Sequence, residues 1–508
     1  MTVIGKNHQS LWIATTPGTD YPVLTEDIDV DVAIVGGGLV GLSSALILAE
    51  SGASVAVLES AQVGTGVSGY TTAKITTQHR RIFHHLIQHF GHEKAQLYAL
   101  ANQQAITYIE GVSRQHSIDC DFEYKPAFVF AQTDEHLKLV EEEIKAAQAA
   151  GLEMSFVKDT RLPLEVKGAA ILPSQAQFHP RKYLLGIANA VVLLGGSIYE
   201  NTRVVEIECE KSGPCSLKTK DGKKVKARDI IVATNFPIHN RDGFYFTRLR
   251  SSNSYAVGIR IKDKFPEGIF INSEDNGHSF RQHPIEGGEI VIVLDGSHPV
   301  GQGGDILARY QELADFARKV FDVESVEYWW TAQDTISLDM VPYIGRYTEG
   351  HRHLFLATGF RKWGMTHSIV AAQLLADLVT GRQNSWEELY TPHRLKPLAT
   401  GGEFLSQGVK TVESYVEKVL PTPKIDVEKI QKGESAMGEL GGKRAAVYRD
   451  KSDKLYEMSR ECMHLGCPVN WNNAEKSWDC PCHGSRYNFD GKVIHSPTVK
   501  DLKPLSEE

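Results

Sequence analysis

Apolar and polar positions near the amino terminus follow the order strand, helix, strand. Residues 31–35 form an apolar run that ends at Gly36. Apolar positions with helical spacing then run from Leu42 to Ala49, and a second apolar run covers residues 54–58. Short apolar runs on both sides of a helical pattern are typical of parallel strands joined by a crossover helix. The pattern therefore predicts a βαβ unit.

The rest of the chain contains segments with helical spacing of apolar residues and segments with the pattern of strands. Residues 92–110 and 133–150 have apolar positions spaced as in helices, whereas residues 254–330 contain several strand-like runs separated by polar turns. Such spacing predicts antiparallel strands rather than further βαβ units. Residues 353–358 predict another buried strand, and a helix is expected over residues 366–378. The pattern as a whole indicates a mixed chain of helices and strands.

Charge and hydropathy narrow the functional class. The 508 residues include 55 Lys and Arg against 63 Asp and Glu, a net charge of −8, so no basic surplus indicates a nucleic-acid partner. No apolar run approaches the roughly 18 residues that a membrane-spanning helix needs. The first residues also lack the charged and apolar regions of a signal peptide. We therefore expect a cytoplasmic protein without a membrane span, and peripheral membrane association stays open.

The seven cysteines are distributed unevenly. Cys120, Cys209 and Cys215 are scattered, whereas the other four lie between residues 462 and 482. Disulfides are rare in cytosolic chains, so we expect no disulfide framework. The cluster near the carboxyl terminus instead indicates metal or redox chemistry.

The turn after the first predicted strand has the spacing Gly36-x-Gly38-x-x-Gly41. In a βαβ unit these glycines allow a tight turn, a close approach of pyrophosphate and close helix packing. Glu59 ends the second strand, where a carboxylate accepts a hydrogen bond from a ribose 2′-OH and repels a 2′-phosphate. The sequence thus predicts one bound dinucleotide that is not of the NADP type. An ordinary glycine-rich turn is the alternative.

Beyond this motif, most of residues 28–382 resembles the D-amino-acid-oxidase-like FAD-dependent oxidoreductases, which include sarcosine, glycine and amine oxidases. The matching segments are DVAIVGGGLVGLSSA at 31–45, GTGVSGYTTAK at 64–74, ENTRVVEIE at 200–208, DIIVATN at 229–235, DMVPYIGR at 339–346 and HLFLATGFRKWGMTHS at 353–368. The resemblance implies that FAD is the dinucleotide. It also implies that the backbone of Val204 meets the adenine and that the segment with Gly69 lies along the pyrophosphate and flavin. The residues implied at the flavin ring and ribityl chain are Gly359, Trp363, Gly364, Met365 and Thr366.

The same resemblance implies the fold of residues 28–382. We expect an α/β Rossmann-type FAD-binding domain interleaved with an antiparallel-sheet, α+β substrate domain. The FAD-binding parts are expected at about 28–80, 165–240 and 335–382, and the substrate-domain parts at about 81–164 and 241–334. Polar residues and prolines predict a connector over 383–423. A small all-β domain is expected over 424–508.

The carboxyl-terminal cluster has the pattern Cys462-x-His464-x-x-Cys467, followed by Cys480-x-Cys482-His483-Gly484-Ser485. Four cysteines and two histidines could also form a zinc site of the Cys₄ or Cys₃His type. The pattern resembles the Rieske 2Fe-2S motif more specifically. That resemblance implies one iron held by the thiolates of Cys462 and Cys480 and the other by the imidazoles of His464 and His483. Imidazole ligation raises the reduction potential to about −150 to +300 mV.

The Rieske resemblance also implies roles for four further residues. Cys467 and Cys482 are expected to form a disulfide that joins the two cluster loops. The hydroxyls of Ser485 and Tyr487 are expected to donate hydrogen bonds to sulfur atoms of the cluster. Such donors stabilise the reduced state.

Two redox motifs in one chain predict an enzyme. We expect an FAD-dependent dehydrogenase that oxidises an amine or amino acid and passes electrons from flavin through the Rieske cluster to an external acceptor. Arg361 and Lys362, within the flavin segment, are candidates to hold a substrate carboxylate or to contact reduced flavin. Electron flow from cluster to flavin and a non-catalytic electron-transfer adaptor are the alternatives. A Rieske oxygenase would need a 2-His-1-carboxylate iron site, and no segment stands out as one.

Overall fold

The computed structural model describes residues 4–210, 213–239, 242–394 and 422–505. Its helices are α1 (Leu11–Ala14), α2 (Leu39–Glu50), α3 (Ile82–Phe90), α4 (His92–Gln115), α5 (Asp134–Ala149), α6 (Pro180–Leu193), α7 (Ile306–Val320), α8 (Gly364–Val379) and α9 (Glu387–Tyr390). The helices expected over 92–110, 133–150 and 366–378 are therefore confirmed, with slightly different ends. Among the described residues, no helix is both long and apolar enough to cross a membrane.

The strands fall into four sheets. The first seventeen are β1 (Ile28–Val35), β2 (Val55–Leu58), β3 (Lys74–Ile75), β4 (Glu123–Ala131), β5 (Ser155–Val157), β6 (Gly168–Gln177), β7 (Ser197–Tyr199), β8 (Val204–Cys209), β9 (Cys215–Thr219), β10 (Lys224–Val232), β11 (Leu249–Ile261), β12 (Ile269–Asn272), β13 (Ser279–Ile285), β14 (Gly288–Pro299), β15 (Val323–Ser337), β16 (Tyr343–Arg346) and β17 (Leu354–Thr358). The last seven are β18 (Ser435–Leu440), β19 (Lys443–Arg449), β20 (Leu455–Ser459), β21 (Asn470–Asn472), β22 (Ser477–Asp479), β23 (Arg486–Asn488) and β24 (Val493–His495).

The first sheet has the strand order β16-β17-β10-β1-β2-β7, with β8 and β9 as a side hairpin. Its central strands run parallel, and β1 lies between β2 and β10. All four residues of β2 and the last four of β1 are buried. Such continuous burial is typical of a parallel sheet covered on both faces. Helix α2 crosses from β1 to β2 and packs against α6 and α8, which confirms the predicted βαβ unit.

The second sheet has nine strands in the order β15-β11-β14-β13-β12-β4-β6-β3, with β5 beside β6. All of its strand pairs are antiparallel except β4 with β12. The Rossmann-type α/β fold with an interleaved antiparallel sheet is thereby confirmed. One segment differs from the expected division. Residues 168–177 lie in the predicted FAD-binding part, yet β6 pairs with β4 inside this sheet. The apolar side chains of both strands pack into two separate cores, one on each face of the sheet.

The carboxyl-terminal module is all β, as expected. Strands β18, β19 and β20 form one antiparallel sheet, and β21 to β24 form a second. Their shared core contains Trp478 and Tyr487, both fully buried, together with the cysteines of the cluster motif.

One disulfide was not predicted from the sequence. Cys209 and Cys215, two scattered cysteines to which the sequence pattern assigns no role, are joined by it. They lie directly opposite each other in the β8–β9 hairpin, with a Cα–Cα distance of 4.2 Å. Neighbouring strands hold directly opposite residues at about this spacing, which is close enough for a disulfide. The pairing depends on strand register, and spacing in the sequence does not reveal it.

Candidate functional site

The turn between β1 and α2 leaves no room for side chains. Gly36 has φ +114°, and a Cβ there would lie 2.7 Å from the carbonyl oxygen of Ala233. A Cβ on Gly41 would lie 1.9 Å from the carbonyl oxygen of Gly36. A Cβ on Gly38, just before the helix begins, would lie 3.1 Å from the hydroxyl oxygen of Ser68. No side chains therefore cover the backbone at the start of α2, where the N–H groups of a helix amino terminus can bind a phosphate.

Glu59 stands at the end of β2 beside this turn. Its Oε2 accepts a hydrogen bond of 2.8 Å from the backbone N–H of Gly37. Its carbonyl oxygen accepts another of 2.8 Å from the N–H of Thr202, two residues before the buried Val204. The fold thus brings together two residues that are far apart in the sequence and that we expected at the adenosine end of the dinucleotide.

A cavity of about 110 Å³ opens beside the same turn, and we call it the flavin cavity. Among the predicted cofactor-binding residues, Gly38, Gly364 and Met365 line it. Asp334 and Lys362 also line it, and they come from β15 and from the segment before α8. Lys362 was a candidate for contact with a substrate or with flavin. Asp334 was missed, because a single carboxylate inside a strand gives no signal in the sequence.

The other predicted flavin-site residues surround this cavity. Gly359 has φ +78°, and a Cβ there would lie 3.0 Å from the Cβ of Ser337. A Cβ on Gly69 would lie 2.2 Å from the carbonyl oxygen of Gly64. The backbone is therefore closely packed at both glycines. These tight approaches and the bare turn after β1 fit an extended dinucleotide such as FAD lying against the backbone.

Trp363 and Thr366 face His79, a buried residue that we did not predict at the site. The rings of Trp363 and His79 stack with their centroids 4.9 Å apart. The Oγ1 of Thr366 lies 3.2 Å from Nε2 of His79 and 3.4 Å from the carbonyl oxygen of Thr76. Both residues therefore hold the start of α8 against the segment after β3.

Asp334 and Lys362 are the ionisable pair of the flavin cavity. Burial raises the pKa of Asp334 to about 6, although the charge of Lys362 opposes this shift. Burial lowers the pKa of Lys362 to about 8, and the charge of Asp334 opposes that shift too. At pH 7 both groups are mainly charged. Lys362 and the preceding Arg361 also have positive φ angles of 72° and 52°, a backbone conformation that costs energy in residues other than glycine.

The second constellation lies in the carboxyl-terminal module. Cys462 and Cys480 are buried and outside any disulfide. The rings of His464 and His483 lie with centroids 4.9 Å apart and almost perpendicular. Burial lowers the pKa of His464 to about 4 and that of His483 to about 3, so both rings are neutral at pH 7. Nδ1 of His483 is buried and makes no hydrogen bond.

Cys467 and Cys482 are joined in a disulfide that connects the two motif loops. The sulfur of Cys480 lies within 4.8 Å of both bridged sulfurs. Bridged sulfurs are not thiolates, so a Cys₄ or Cys₃His zinc site is incompatible with this structure. The donors that remain are two thiols and two neutral imidazoles. This set fits a 2Fe-2S cluster of mixed cysteine and histidine ligation.

Two hydroxyl side chains sit beside the cysteine sulfurs. Tyr487 donates a hydrogen bond of 3.2 Å to the Sγ of Cys462 and accepts one of 2.9 Å from the N–H of Met463. The fully buried Ser485 accepts a hydrogen bond of 3.2 Å from the N–H of Thr498. A hydrogen bond with Cys480, and further ones with Tyr487 and Ser485, lower the pKa of Cys462. Both hydroxyls are therefore placed to act on sulfur.

The histidine edge of the module faces the body formed by the two larger sheets. Ser251 donates a hydrogen bond of 2.9 Å from its hydroxyl to the carbonyl oxygen of His483. Gln333 donates one of 2.8 Å from Nε2 to the carbonyl oxygen of Gly484. The ring of Phe246 lies 5.5 Å from that of His483, centroid to centroid. Only 4% of the surface of His483 is exposed, so the histidine is covered by the body.

A second contact also anchors the module to the body. It is made by Glu475, which precedes Cys480 and His483 in the sequence. The carboxylate of Glu475 accepts hydrogen bonds from the hydroxyls of Thr331 (2.8 Å) and Tyr310 (3.2 Å), and it lies 3.1 Å from Nε2 of His8. Burial alone would raise the pKa of Glu475, but the hydrogen bond with His8 and the charge of Arg486 lower it to about 2. The module is therefore anchored through a half-buried charge as well as through its histidine edge.

Comparison with protein families identifies both parts of the chain. The family model described as FAD dependent oxidoreductase (DAO) matches residues 31–378, and the model described as Rieske [2Fe-2S] domain matches residues 421–506. The first match alone covers more than half of the chain.

Two curated relatives match over most of the chain. The chain is 35% identical over 497 residues to a Rieske 2Fe-2S iron-sulfur protein of Bacillus subtilis (strain 168), YhfW, with 98% of this chain and 97% of the relative covered. It is 26% identical over 398 residues to gamma-glutamylputrescine oxidoreductase of Escherichia coli (strain K12), which covers 74% of this chain and 89% of the relative.

Solved structures share the fold. Glycine oxidase from Geobacillus kaustophilus matches with a TM-score of 0.56 and 21% identity, covering 72% of this chain and 99% of that structure. L-Amino acid deaminase from Proteus vulgaris matches with a TM-score of 0.61 and 18% identity, covering 76% of this chain and 98% of that structure. At these identities the likeness shows the fold alone.

Proposed function

The chain belongs to the FAD dependent oxidoreductases and ends in a Rieske [2Fe-2S] domain, and from this premise we propose that it dehydrogenates an amine or amino acid and delivers the electrons to an acceptor outside the chain. Oxidation of a C–N bond to C=N removes two electrons and two protons from the substrate, and water hydrolyses the product. FAD, when bound, accepts electrons in pairs, and a Rieske cluster carries them singly.

The contact between the Rieske domain and the body is the observation that best supports this proposal. The edge that presents His483 is buried against β11 and β15. Strand β15 also supplies Asp334 to the flavin cavity, one residue after Gln333 contacts the module. The same strand therefore lines the flavin cavity and holds the histidine edge. A cofactor pair held this way is expected to exchange electrons inside the chain, without a diffusing carrier.

The roles of the cluster residues are part of the proposal. Cys462 and Cys480 would hold one iron, and His464 and His483 would hold the other. The Cys467–Cys482 disulfide keeps the two loops together, while Ser485 and Tyr487 donate to sulfur. The bare turn at Gly36, Gly38 and Gly41 would receive the pyrophosphate, with Glu59 at the ribose. The remaining predicted cofactor-binding residues are Gly69, Val204, Gly359, Trp363, Gly364, Met365 and Thr366.

Asp334 and Lys362 would act on the substrate. A carboxylate whose pKa is raised toward neutrality can hold a substrate ammonium or take its proton. A lysine in the same cavity attracts a substrate carboxylate, because the buried ammonium is poorly hydrated. The names of two relatives, a gamma-glutamylputrescine oxidoreductase and a glycine oxidase, support amines and amino acids as the class to test first.

The decisive experiment is an anaerobic stopped-flow screen of amines and amino acids with the holoenzyme. Flavin absorbance reports reduction of FAD, and electron paramagnetic resonance of freeze-quenched samples reports reduction of the cluster. We expect bleaching of the flavin first and appearance of the reduced-cluster signal afterwards. Gly111→Ala, an exposed position with open space around it, provides a matched control protein.

Three other outcomes would contradict the proposal. If flavin bleaches and the cluster stays oxidised, electron transfer within the chain is wrong. If dithionite-reduced cluster reduces flavin but no amine does, electrons flow in the opposite direction, as in a reductase. If neither centre responds to any substrate of the class, the chain is an electron-transfer adaptor.

The domain limits and the location complete the proposal. We propose a catalytic body at 28–382, a connector at 383–423 and the Rieske domain from 424 onward. Residues 395–421 of the expected connector lie outside the described residues. The cytoplasmic location stays a prediction from the amino-terminal sequence.

A further inference from the structure

Three cavities follow one another from the flavin site outward. The flavin cavity shares Thr71, Thr72 and Lys362 with an inner pocket of about 40 Å³. The inner pocket shares Arg80 and Lys362 with a chamber of about 560 Å³, which we call the vestibule. Lys362 lines all three. A volume of this size is in the range of cavities that bind small molecules.

The vestibule is strongly cationic. Among the described residues, its walls carry five positive side chains and two carboxylates. The positive ones are Arg80, Arg81, Arg250, Arg361 and Lys362, and the carboxylates are Glu142 and Asp275. The opposite wall comes from the Rieske domain, through Pro481 and Cys482.

Arg80 is only partly compensated within the wall, where its Nη1 donates a hydrogen bond to the backbone carbonyl oxygen of Asp275. Its guanidinium is 3.7 Å from the carboxylate of Asp275, whose side chain is 80% exposed, whereas the side chain of Arg80 is only 15% exposed. Its Nε is buried and makes no hydrogen bond. Burial lowers the pKa of Arg80 to about 10, so it remains a cation at pH 7. A guanidinium with one unpaired N–H donor at the junction of two cavities is suited to bind an anionic group.

The charge of the vestibule selects among amines. A simple amine is a cation at pH 7, so a positive chamber repels it on the way to the inner pocket. An amino acid with one carboxylate is neutral overall and gains little. A molecule with one ammonium and two carboxylates has a net negative charge and is attracted, and its second carboxylate can remain in the vestibule while the C–N bond enters the inner pocket.

We propose that the substrate is an amino dicarboxylate, or an amine with an equivalent pair of anionic groups, and that Arg80 and Arg250 in the vestibule hold the anionic group farther from the reacting C–N bond. Lys362, at the inner pocket, holds the nearer one. This inference rests on the proposed function, since it assigns the substrate class of the same site.

Binding of unreactive probes to the oxidised holoenzyme tests it. Glutarate, acetate and n-butylamine are titrated into the protein, and dissociation constants are taken from flavin difference spectra and from isothermal calorimetry. We expect glutarate to bind about tenfold or more tightly than acetate, because a second charge-assisted contact forms. We expect n-butylamine to bind more weakly than either.

Variants locate the second contact. Arg250→Gln is expected to weaken glutarate binding about tenfold and leave acetate binding nearly unchanged, while Arg250→Lys restores part of the loss. Lys319→Gln removes an exposed cation from α7, away from the vestibule, and is expected to change neither constant. Flavin and cluster absorbance confirm that each variant is folded and loaded.

The outcomes separate this inference from the proposed function. Equal affinity for glutarate and acetate, tighter binding of n-butylamine, or an Arg250→Gln protein that binds glutarate like the unmodified chain would overturn the dicarboxylate assignment. None of these results requires turnover. Failure of every amine to reduce the flavin would overturn the proposed function whatever the probes show.

Discussion

At the scale of single residues, the site depends on ionisable groups that are displaced from their usual pKa. Asp334 and Lys362 line one cavity, and burial moves the pKa of the acid up and that of the base down. Lys362 is also held in an uncommon backbone conformation at a point where three cavities meet. Backbone strain of this kind persists only where the surrounding packing holds the chain in place, and such strain is common at functional sites.

The lowered pKa of Lys362 predicts that anion binding depends on pH. Its pKa is lowered to about 8, so the side chain is charged below that pH and neutral above it. We expect the affinity of the oxidised holoenzyme for acetate to fall about tenfold or more as pH rises from 7 through 8. Calorimetric titrations at a series of pH values measure this.

Lys362→Arg should move the fall in acetate affinity above pH 10, and Lys362→Met should give weak acetate binding at every pH. A fall at pH 8 in Lys362→Met would show that another group is responsible.

At the scale of elements, the βαβ unit depends on contacts that only glycine allows. Gly41 lies in the first turn of α2, with its Cα against the carbonyl oxygen of Gly36. The helix can therefore approach β1 closely, and its amino terminus points at the bare turn. The apolar pattern predicted these elements because continuous burial and helical spacing are local properties of the sequence. The place of β6 in the second sheet was not predictable, because strand pairing is decided by distant partners.

Gly41→Ala tests this element. The added Cβ would lie 1.9 Å from a backbone oxygen, so helix and strand must move apart. We expect a cost of about 1–3 kcal/mol and an FAD content reduced about tenfold or more, while the cluster signal persists in the separate carboxyl-terminal module.

Flavin absorbance and electron paramagnetic resonance on the same sample measure the two cofactors. Gly111→Ala is the matched control, because nothing lies within 4 Å of its added Cβ in the middle of α4, and it should be neutral or stabilising by about 0.4–1 kcal/mol. An unchanged FAD content in Gly41→Ala would exclude the role of this turn in FAD binding.

At the scale of the whole molecule, the Rieske domain is docked by two sets of contacts, one buried and one half-buried. The histidine edge meets Ser251 and Gln333, and Glu475 meets Thr331 and Tyr310. Hydrogen bonds to a carboxylate and to carbonyl groups fix orientation as well as distance, since each has a narrow geometry. The docking therefore places one domain relative to the other in a single arrangement.

The docking predicts that electron transfer within the chain is sensitive to Gln333. Gln333→Ala leaves the buried carbonyl oxygen of Gly484 without this donor, which weakens docking by about 1–3 kcal/mol. We expect slower appearance of the reduced-cluster signal after rapid flavin reduction, with the rate of flavin reduction unchanged. Freeze-quench and stopped-flow measurements give the two rates. Gln311→Ala, on the exposed side of α7, is the control. Equal slowing of both rates would mean that Gln333 acts on the flavin site and not on docking.

The sequence by itself determined the elements, the glycine turn with Glu59 and the cysteine and histidine ligand pattern, because each depends on short spacings between residues that are neighbours along the chain. Tertiary structure alone decided the Cys209–Cys215 disulfide, the approach of Asp334 to Lys362, the cationic vestibule and the burial of His483 against β11 and β15. These features join residues that are far apart along the chain or opposite in strand register. Their energies come from burial and from charge at short range, and neither quantity is defined until the chain has folded.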